Sequence, residues 1–463
     1  MQTAHNRIAN AFYSLWLPRK MGGTVFDHLN WFKANEARDR SEIERVKQSL
    51  LTRLLLHAQE NVPYYRRVFA EQGISPAQLQ NLEILKDIPL LTRAQLQDNL
   101  ETLVTENVER RLMIRDTTGG STGKPTPFYH DRGYKLHNDA LILRNMAWTG
   151  WRFGEPVVKI WGSGFDYRLQ MRLKERVLDF LRNETIFPAY EMTPANMSRW
   201  VKKIQSIRPT VVVGYASALA ALAEWGLAND AALDGLGVKA VLSSAEMLLP
   251  SQRELLEVAF CCRVFDRYGT RELSTVAQDC RFGRLHVNED WLHLEIVDDR
   301  GDPLPPGNLG QVVLTGYFTL GMPFIRYAIE DVAAFPAKDE PCPCGCPFRA
   351  LERLEGRVQG LISLPGGGVM SGVFFPQLFR QFDVRQFQVV QPTLDRLEVS
   401  LVVGPRFDGQ AMENIRSTLA KHASGVTASF RMVDHIPPAP SGKFRFTVSH
   451  VTQADVFRQT QTN

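Results

Sequence analysis

From Arg115 to about Gly356, short β-rich runs alternate with helical segments, and this alternation limits the fold more than any other feature. VVKIWG, TVVVGY, VKAVLSS, RVFDRYG, LHLEIVD and QVVLTGY are too short and too rich in β-branched and aromatic residues to be helices. Joined by segments of helical spacing, they predict an α/β fold with mixed sheets. DRGDPLPPGNLG is a turn between two of the strands. The first 90 or so residues form a mainly helical leader: Glu42 to Glu60 has helical periodicity, Pro63 and Gly73 bracket a second helix, and Thr92 caps a third. Past Gly356–Arg357, strands at 386–390 and 397–403, a helix at 409–421 and a strand at 427–433 predict a small α+β domain. The expected division is therefore an N-terminal body, 1–355, and a C-terminal domain, 356–463.

Lys and Arg number 54 against 50 Asp and Glu, a balance of +4 that gives no reason to expect nucleic acid. The apolar stretch Ile8–Leu17 is short and interrupted by Asn10 and Ser14; it reads as a helix packed on the body, with contact to a membrane surface as the alternative. Val211 to Ala228 includes Gly214, Tyr215, Ser217 and Glu224, which suits a buried strand and a packed helix rather than a membrane span. A cytoplasmic protein is expected. Of the six cysteines, Cys261 and Cys262 lie in an apolar run and read as core. Cys280, with His286 six residues on, and Cys342, Cys344 and Cys346 in PCPCGCP combine thiols and imidazole as tetrahedral zinc requires; reduced cysteines in a turn are the alternative.

The segment TTGGSTGKP carries the most chemistry. In Thr117, Thr118, Gly119, Gly120, Ser121, Thr122, Gly123 and Lys124, glycines let backbone N–H groups close on phosphate oxygens, hydroxyls add donors, and the lysine adds charge. It is not a Walker A loop, because Pro125 follows Lys124 and Thr118 stands at the first glycine position.

This loop resembles the phosphate loop of the acyl-adenylate-forming enzymes, and more narrowly that of the phenylacetate–CoA ligase and capsule-biosynthesis ligase branch. The likeness runs from about Asn61 to Arg445. It implies that Ser244, Ala245 and Glu246 of SSAEML line an adenine pocket. In DRYGTREL it implies that Tyr268 stacks on adenine, with Gly269 and Thr270 beside it, and that Glu272 coordinates Mg2+. Asp331 of FIRYAIEDVA would accept from both ribose hydroxyls, and Arg357 of LEGRVQG would stand near ribose and phosphate. Gln359 would be the hinge, with Gly360 after it, where the family usually has acidic residues. Lys443 of IPPAPSGKFRF would be the catalytic lysine, stabilising charge on the α-phosphate and on the leaving pyrophosphate. Some members of the branch pair an upstream Cys…His with Cys-Pro-Cys-Gly. That implies one structural Zn2+ on Cys280, His286, Cys342 and Cys344, with Cys346 as a competing ligand.

The resemblance further implies a C-terminal lid that swings after adenylation, with ATP, Mg2+ and a carboxylic acid as the reacting set. Transfer to CoA as a thioester is the first reading. Transfer to an amine or hydroxyl of a sugar, amino acid or carrier is the second, because SLPGGGVMSGVFFPQLF is longer than the CoA-using pattern and Phe379 stands where an acid is expected. A non-catalytic nucleotide-binding relative is the third. Trp161, Phe165, Tyr215 and Ser217 are candidate walls of the acid pocket; they do not name the acid. A homodimer is left open.

Overall fold

A computed structural model describes residues 2–16, 24–117, 126–161, 173–189, 192–231, 233–357, 361–365, 369–371, 374–379, 381–423, 425–437 and 446–451. The chain divides into two compact units, Met1–Ile329 with Ala333–Arg353, and Glu330–Val332 with Leu354–Asn463.

The first unit opens with helices α1 (Gln2–Ala11), α2 (Thr24–Asn35), α3 (Arg40–Asn61), α4 (Pro63–Glu71) and α5 (Arg93–Asp98). Two begin at capping boxes, Asp39 with Glu42 and Thr92 with Gln95, each worth about 1 kcal/mol by satisfying otherwise open N–H groups. α3 buries Ile43, Leu50, Leu51, Leu54, Leu55 and Ala58, the three- and four-residue spacing that marks one helical face. After α1, a π-turn at Phe12–Trp16 buries Phe12 and Tyr13 while Ile8, Leu15 and Trp16 stay exposed. The stretch expected to pack on the body does so on one side.

A hairpin follows, β1 (Ile114–Thr117) with β2 (Pro127–His130), then helix α6 (Arg132–Trp148). The large sheet is built from β3 (Val157–Trp161), β4 (Glu184–Pro188), β5 (Val211–Gly214), β6 (Ala240–Ser244), β7 (Arg263–Thr270), β8 (Ser274–Asp279), β9 (Leu285–Val287) and, later in the chain, Ala350–Leu351. Between its strands run helices α7 (Leu173–Arg182), α8 (Pro194–Ile207), α9 (Ala216–Ala228) and α10 (Pro250–Phe260). From one edge the order is β4, β3, β5, β6, β7, all parallel, then β8, β9 and Ala350–Leu351, each antiparallel to its neighbour. One face packs on α8, α9 and α10 through Val158, Val212, Val241 and Val264. The other carries Val157, Val213, Leu242 and Phe265 against Met146 and Ile142 of α6. The chain steps from β3 outward to β4 and then back past β3 to β5. The carboxyl ends of β3 and β5 therefore bound a topological switch point, where open α/β sheets take ligands. The strands β10 (Leu292–Val297), β11 (Gly310–Gly316) and β12 (Tyr327–Ala334) lie side by side in a second sheet. Val211 to Ala228 is a buried strand and a packed helix, as its composition predicts.

Ala350–Leu351 is β13, and β14 (Arg353–Arg357) leads into the second unit. That unit holds a small hairpin, β15 (Leu361–Ser363) with β16 (Val369–Ser371), and helix α11 (Phe374–Phe379). The strands β17 (Val384–Thr393), β18 (Arg396–Val403), β19 (Thr427–Met432) and β20 (Thr447–Ser449) form a four-stranded sheet in the order β19, β18, β17, β20, with α12 (Gly409–His422) between β18 and β19. Phe375, Phe379, Phe387, Leu397, Ile415 and Leu419 fill its core. Phe379 is thus a packing residue, which is why an apolar side chain stands there. No described helix of the chain is long and apolar enough to cross a membrane.

Of the cysteine pair after α10, Cys261 departs from expectation, while Cys262 packs in part against the core. Cys261 is exposed and caps the helix in the left-handed region (φ 48), and Cys262 is only partly buried, because the helix must end there to let β7 begin.

Candidate active site

The β1–β2 hairpin sets the frame. Its paired ends, Thr117 opposite Pro127, hold the glycine-rich segment between them. Residues Thr118, Gly119, Gly120, Ser121, Thr122, Gly123 and Lys124 lie outside the described residues, as do Phe165, Gln359, Lys443 and the side chain of Arg357. Both flanks of the loop are fixed from elsewhere in the unit. Arg271 donates from Nη1 to the Thr117 carbonyl at 3.2 Å and stands 3.6 Å from Asp116. On the far side Thr126 is fully buried, and its hydroxyl accepts from Gln97 at 2.6 Å and from Arg93 at 3.4 Å. Sequence reasoning did not find Arg271, Gln97 or Thr126. Arg271 lies inside the quoted DRYGTREL and was open to being read there; Gln97 carried no local signal.

The Arg271 contact brings the hairpin beside the turn that carries Glu272. Gly269 is required at the end of β7, since any side chain there would strike the Ser274 carbonyl. The Thr270 hydroxyl accepts the Leu273 N–H at 3.0 Å and so shapes this turn. Glu272 is buried, and its Oε1 accepts a long bond, 3.4 Å, from the Tyr327 hydroxyl. The Tyr134 hydroxyl donates to the Glu272 backbone carbonyl at 3.2 Å. Among the described residues no lysine or arginine pairs with the Glu272 carboxylate. A buried carboxylate without a cation partner fits a hard divalent ion. Beneath it, the His130 ring stacks on Tyr134 at 3.6 Å and 2°. Burial pushes the His130 imidazole down to about 3, with partial compensation from the Arg271 backbone.

At the carboxyl ends of the parallel strands stand several of the other candidates. Ala245 turns the chain after β6 at φ 67, and the Glu246 carboxylate accepts the Ser217 N–H at 2.8 Å, capping α9. The Ser217 backbone, expected as pocket wall, is thereby tied to the SSAEML loop. Trp161 and Tyr215, at the ends of β3 and β5, meet at 4.6 Å across the switch point. Gly214 lets Leu219 and the Ile160 carbonyl come close beneath them. Tyr268 lies on β7; Asp331 is buried on β12 and belongs to the second unit. Arg326, just ahead of Tyr327, is fully engaged elsewhere: it pairs with Glu295 at 3.1 Å and donates to the carbonyls of Ile88 and Gly301. It fastens the leader to the body.

The cysteine cluster is built from two segments, 280–286 and 342–344. Cys280 Sγ is 3.7 Å from Cys342 Sγ, and Cys344 Sγ is 3.4 Å from His286 Nε2; the four ligand atoms all lie within 4.8 Å of one another. A tetrahedral zinc with ordinary bond lengths would set sulfur–sulfur edges near about 3.8 Å and sulfur–nitrogen edges near about 3.5 Å. His286 Nδ1 faces the Phe348 carbonyl at 2.6 Å, which fixes the tautomer that leaves Nε2 free to ligate. Backbone N–H groups of Phe282 and Cys346 donate to the sulfurs of Cys280 and Cys344. The residues fit the ion. Cys346 gives the cluster its N–H and not its sulfur, which stands outside the set.

Residues 73–322 match the AMP-binding enzyme family. The chain belongs to that family. Residues 362–450 match the CapK C-terminal domain, and the two matches together fit the phenylacetate–CoA ligase and capsule-biosynthesis branch of these enzymes. Among curated relatives, the Staphylococcus aureus protein CapK is 23% identical over 404 residues, 85% of this chain and 86% of that one. A Thermus thermophilus phenylacetate-coenzyme A ligase is 26% identical over 382 residues, 80% of this chain and 84% of that one. In fold, the crystal structure of 2-hydroxyisobutyryl-CoA ligase in the postadenylation state has a TM-score of 0.73 at 19% identity, covering 92% of this chain and 93% of that one. This AMP-binding enzyme is thus of the ATP-dependent, adenylate-forming type.

Proposed function

We propose that the chain activates a carboxylic acid with ATP, forming an acyl-adenylate and pyrophosphate, and then passes the acyl group to CoA. The observation that carries this reading is the fastening of the glycine-rich loop at both ends, with one fastener, Arg271, adjacent to Glu272. The described end of that loop, Thr117, and the turn that carries Glu272 are thus neighbours, which supports a phosphate-binding backbone beside a metal-holding carboxylate. Glu272 would hold Mg2+, which when bound offsets charge on the phosphate oxygens. Thr117–Lys124 would bind phosphates, Ser244–Glu246 and Tyr268 the adenine, Asp331 the ribose, and Arg357 the ribose and phosphate. Lys443 would bring an ammonium group to the charge that gathers as pyrophosphate departs. Cys280, His286, Cys342 and Cys344 would hold a structural Zn2+ that fastens the 342–349 strap to β9. Its use of ATP and its free thiols suit the cytoplasm.

The match of the second unit to the CapK C-terminal domain favours a second reading of the transfer step, in which the acceptor is an amine or hydroxyl of a sugar, amino acid or carrier. Adenylation is common to both.

The test is acid-dependent pyrophosphate–ATP exchange with aryl, fatty, amino and sugar acids. Lys443→Ala is expected to lower exchange by about 10²–10³ while ATP still binds. Exchange that survives in the variant would remove Lys443 from its role, and ADP as product would overturn adenylation.

A further inference from the structure

One half-buried charge in the first unit is used by none of these roles. Arg267 lies on β7 and is half-buried. Its Nε donates to Ser244 Oγ at 3.2 Å, the residue directly opposite on β6. Among the described residues no carboxylate pairs with it, and its two Nη groups have no hydrogen-bond partner. Burial pushes its pKa down to about 10, which still leaves it a cation at neutral pH. Its outer nitrogens keep accessible surface, so the fork is open to an oxyanion that offers two parallel acceptors.

The strand pleat tells which way it faces. Successive residues of β7 alternate between sheet faces. Asp266, the carboxylate that acts on Arg267 through its charge, belongs to the α10 face, where its backbone N–H donates to Asp279 and Asp279 pairs with Arg253 at 2.7 Å. Tyr268, the proposed adenine platform, shares that parity. Arg267 and Ser244 continue the opposite face, each two residues beyond a member of the apolar cluster, Phe265 and Leu242. They therefore stand at the carboxyl ends of the parallel strands, on the sheet face opposite Tyr268; the Ser244 hydroxyl meets Arg267 there, while its backbone runs on into the Ala245–Glu246 turn assigned to adenine. Trp161 and Tyr215 occupy the same edge at the switch point.

We propose that Arg267 and Ser244 form an oxyanion subsite of the acid pocket, so that the acid activated here carries a second, distal oxyanion in addition to the carboxylate that is adenylated. The subsite rests on the adenylation reading and makes Arg267 a specificity-determining residue. A planar fork with both Nη groups free suits a distal carboxylate held through two parallel hydrogen bonds; a phosphate ester offers the same oxygens.

The experiment is pyrophosphate–ATP exchange on the full chain with matched acids: dicarboxylic acids from malonic to adipic, isophthalic acid, their monomethyl esters, and 3-phosphoglycerate. Wild type is expected to favour an acid with a distal oxyanion over its neutral-tailed partner by about 100-fold in kcat/KM, because the ester leaves the fork unmet. Arg267→Met is expected to reverse that preference by gaining the neutral-tailed acid, a gain that an unfolded protein cannot give. Arg267→Lys should keep the preference at reduced size. Exchange with 3-phosphoglycerate alone would identify the distal group as phosphate. Equal exchange with neutral-tailed acids in wild type would overturn the subsite and leave adenylation standing, whether or not the methionine variant folds. Silence with every acid, including the neutral aryl and fatty ones, would overturn the adenylation reading and the subsite with it.

Discussion

At the scale of single residues, the candidate site depends on groups whose importance lies in what they touch. Glu272 has a tyrosine on each side: Tyr327 at its carboxylate and Tyr134 at its carbonyl. His130 lies under Tyr134 as a neutral ring, its pKa depressed by burial to about 3 from 6.5. Between those values the unfolded chain binds a proton that the folded chain does not. The stability contributed by the neutral ring is therefore full above about pH 6.5 and is lost as pH falls toward 3, at up to one proton, about 1.4 kcal/mol per pH unit. His130→Phe keeps the stack on Tyr134 and removes that slope. Urea unfolding near pH 7, 6 and 5 should show the variant less acid-sensitive than wild type; parallel profiles would mean that His130 is protonated in the fold.

At the scale of elements, hairpins and straps carry the chemistry and packed helices hold them. The β1–β2 hairpin is fastened by Arg271 from the β7–β8 turn and by Gln97 from α5. The strap that includes Cys342 and Cys344 runs back along buried charge. Glu289 accepts from Lys47 at 3.1 Å and from the Arg349 N–H at 2.7 Å, and it also pairs with Arg40. With three cations around it, the Glu289 carboxyl is held well below the usual carboxylate range. A metal at the cysteine cluster would complete this fastening. Elemental analysis of the purified protein is expected to give one zinc per chain. A chelator, or Cys342→Ser, should release it and lower the melting temperature by about 5 °C or more. Zinc-free protein that melts as before would dismiss the metal.

At the scale of the whole molecule, two units with separate cores are joined near Arg353–Leu354. If the second acts as a lid that must turn after adenylation, stiffening the linker should separate the two half-reactions. Gln359→Pro fixes one backbone angle and removes an N–H. It is expected to keep pyrophosphate exchange near wild type while acyl transfer slows by about 10-fold or more, seen as acyl-adenylate accumulating without product. Equal loss of both steps would argue against a hinge at that residue.

The sequence by itself determined what short-range physics controls. The short β-rich runs became strands, the capped 3.6-period segments became helices, and 386–390, 397–403, 409–421 and 427–433 all fall on elements of the second unit. Motif spacing led to the family as well, because a phosphate loop and its companions need particular residue types in a fixed order. Only the tertiary structure decided which distant side chains share an environment. It buried Thr126 against Gln97, set Tyr134 beneath Glu272, left the Cys346 sulfur outside the ligand cluster and placed Cys261 at the surface. It also set Arg267 beside Ser244 with its outer nitrogens unmet. Those outcomes depend on strand order and register between segments tens to hundreds of residues apart, which no local pattern encodes.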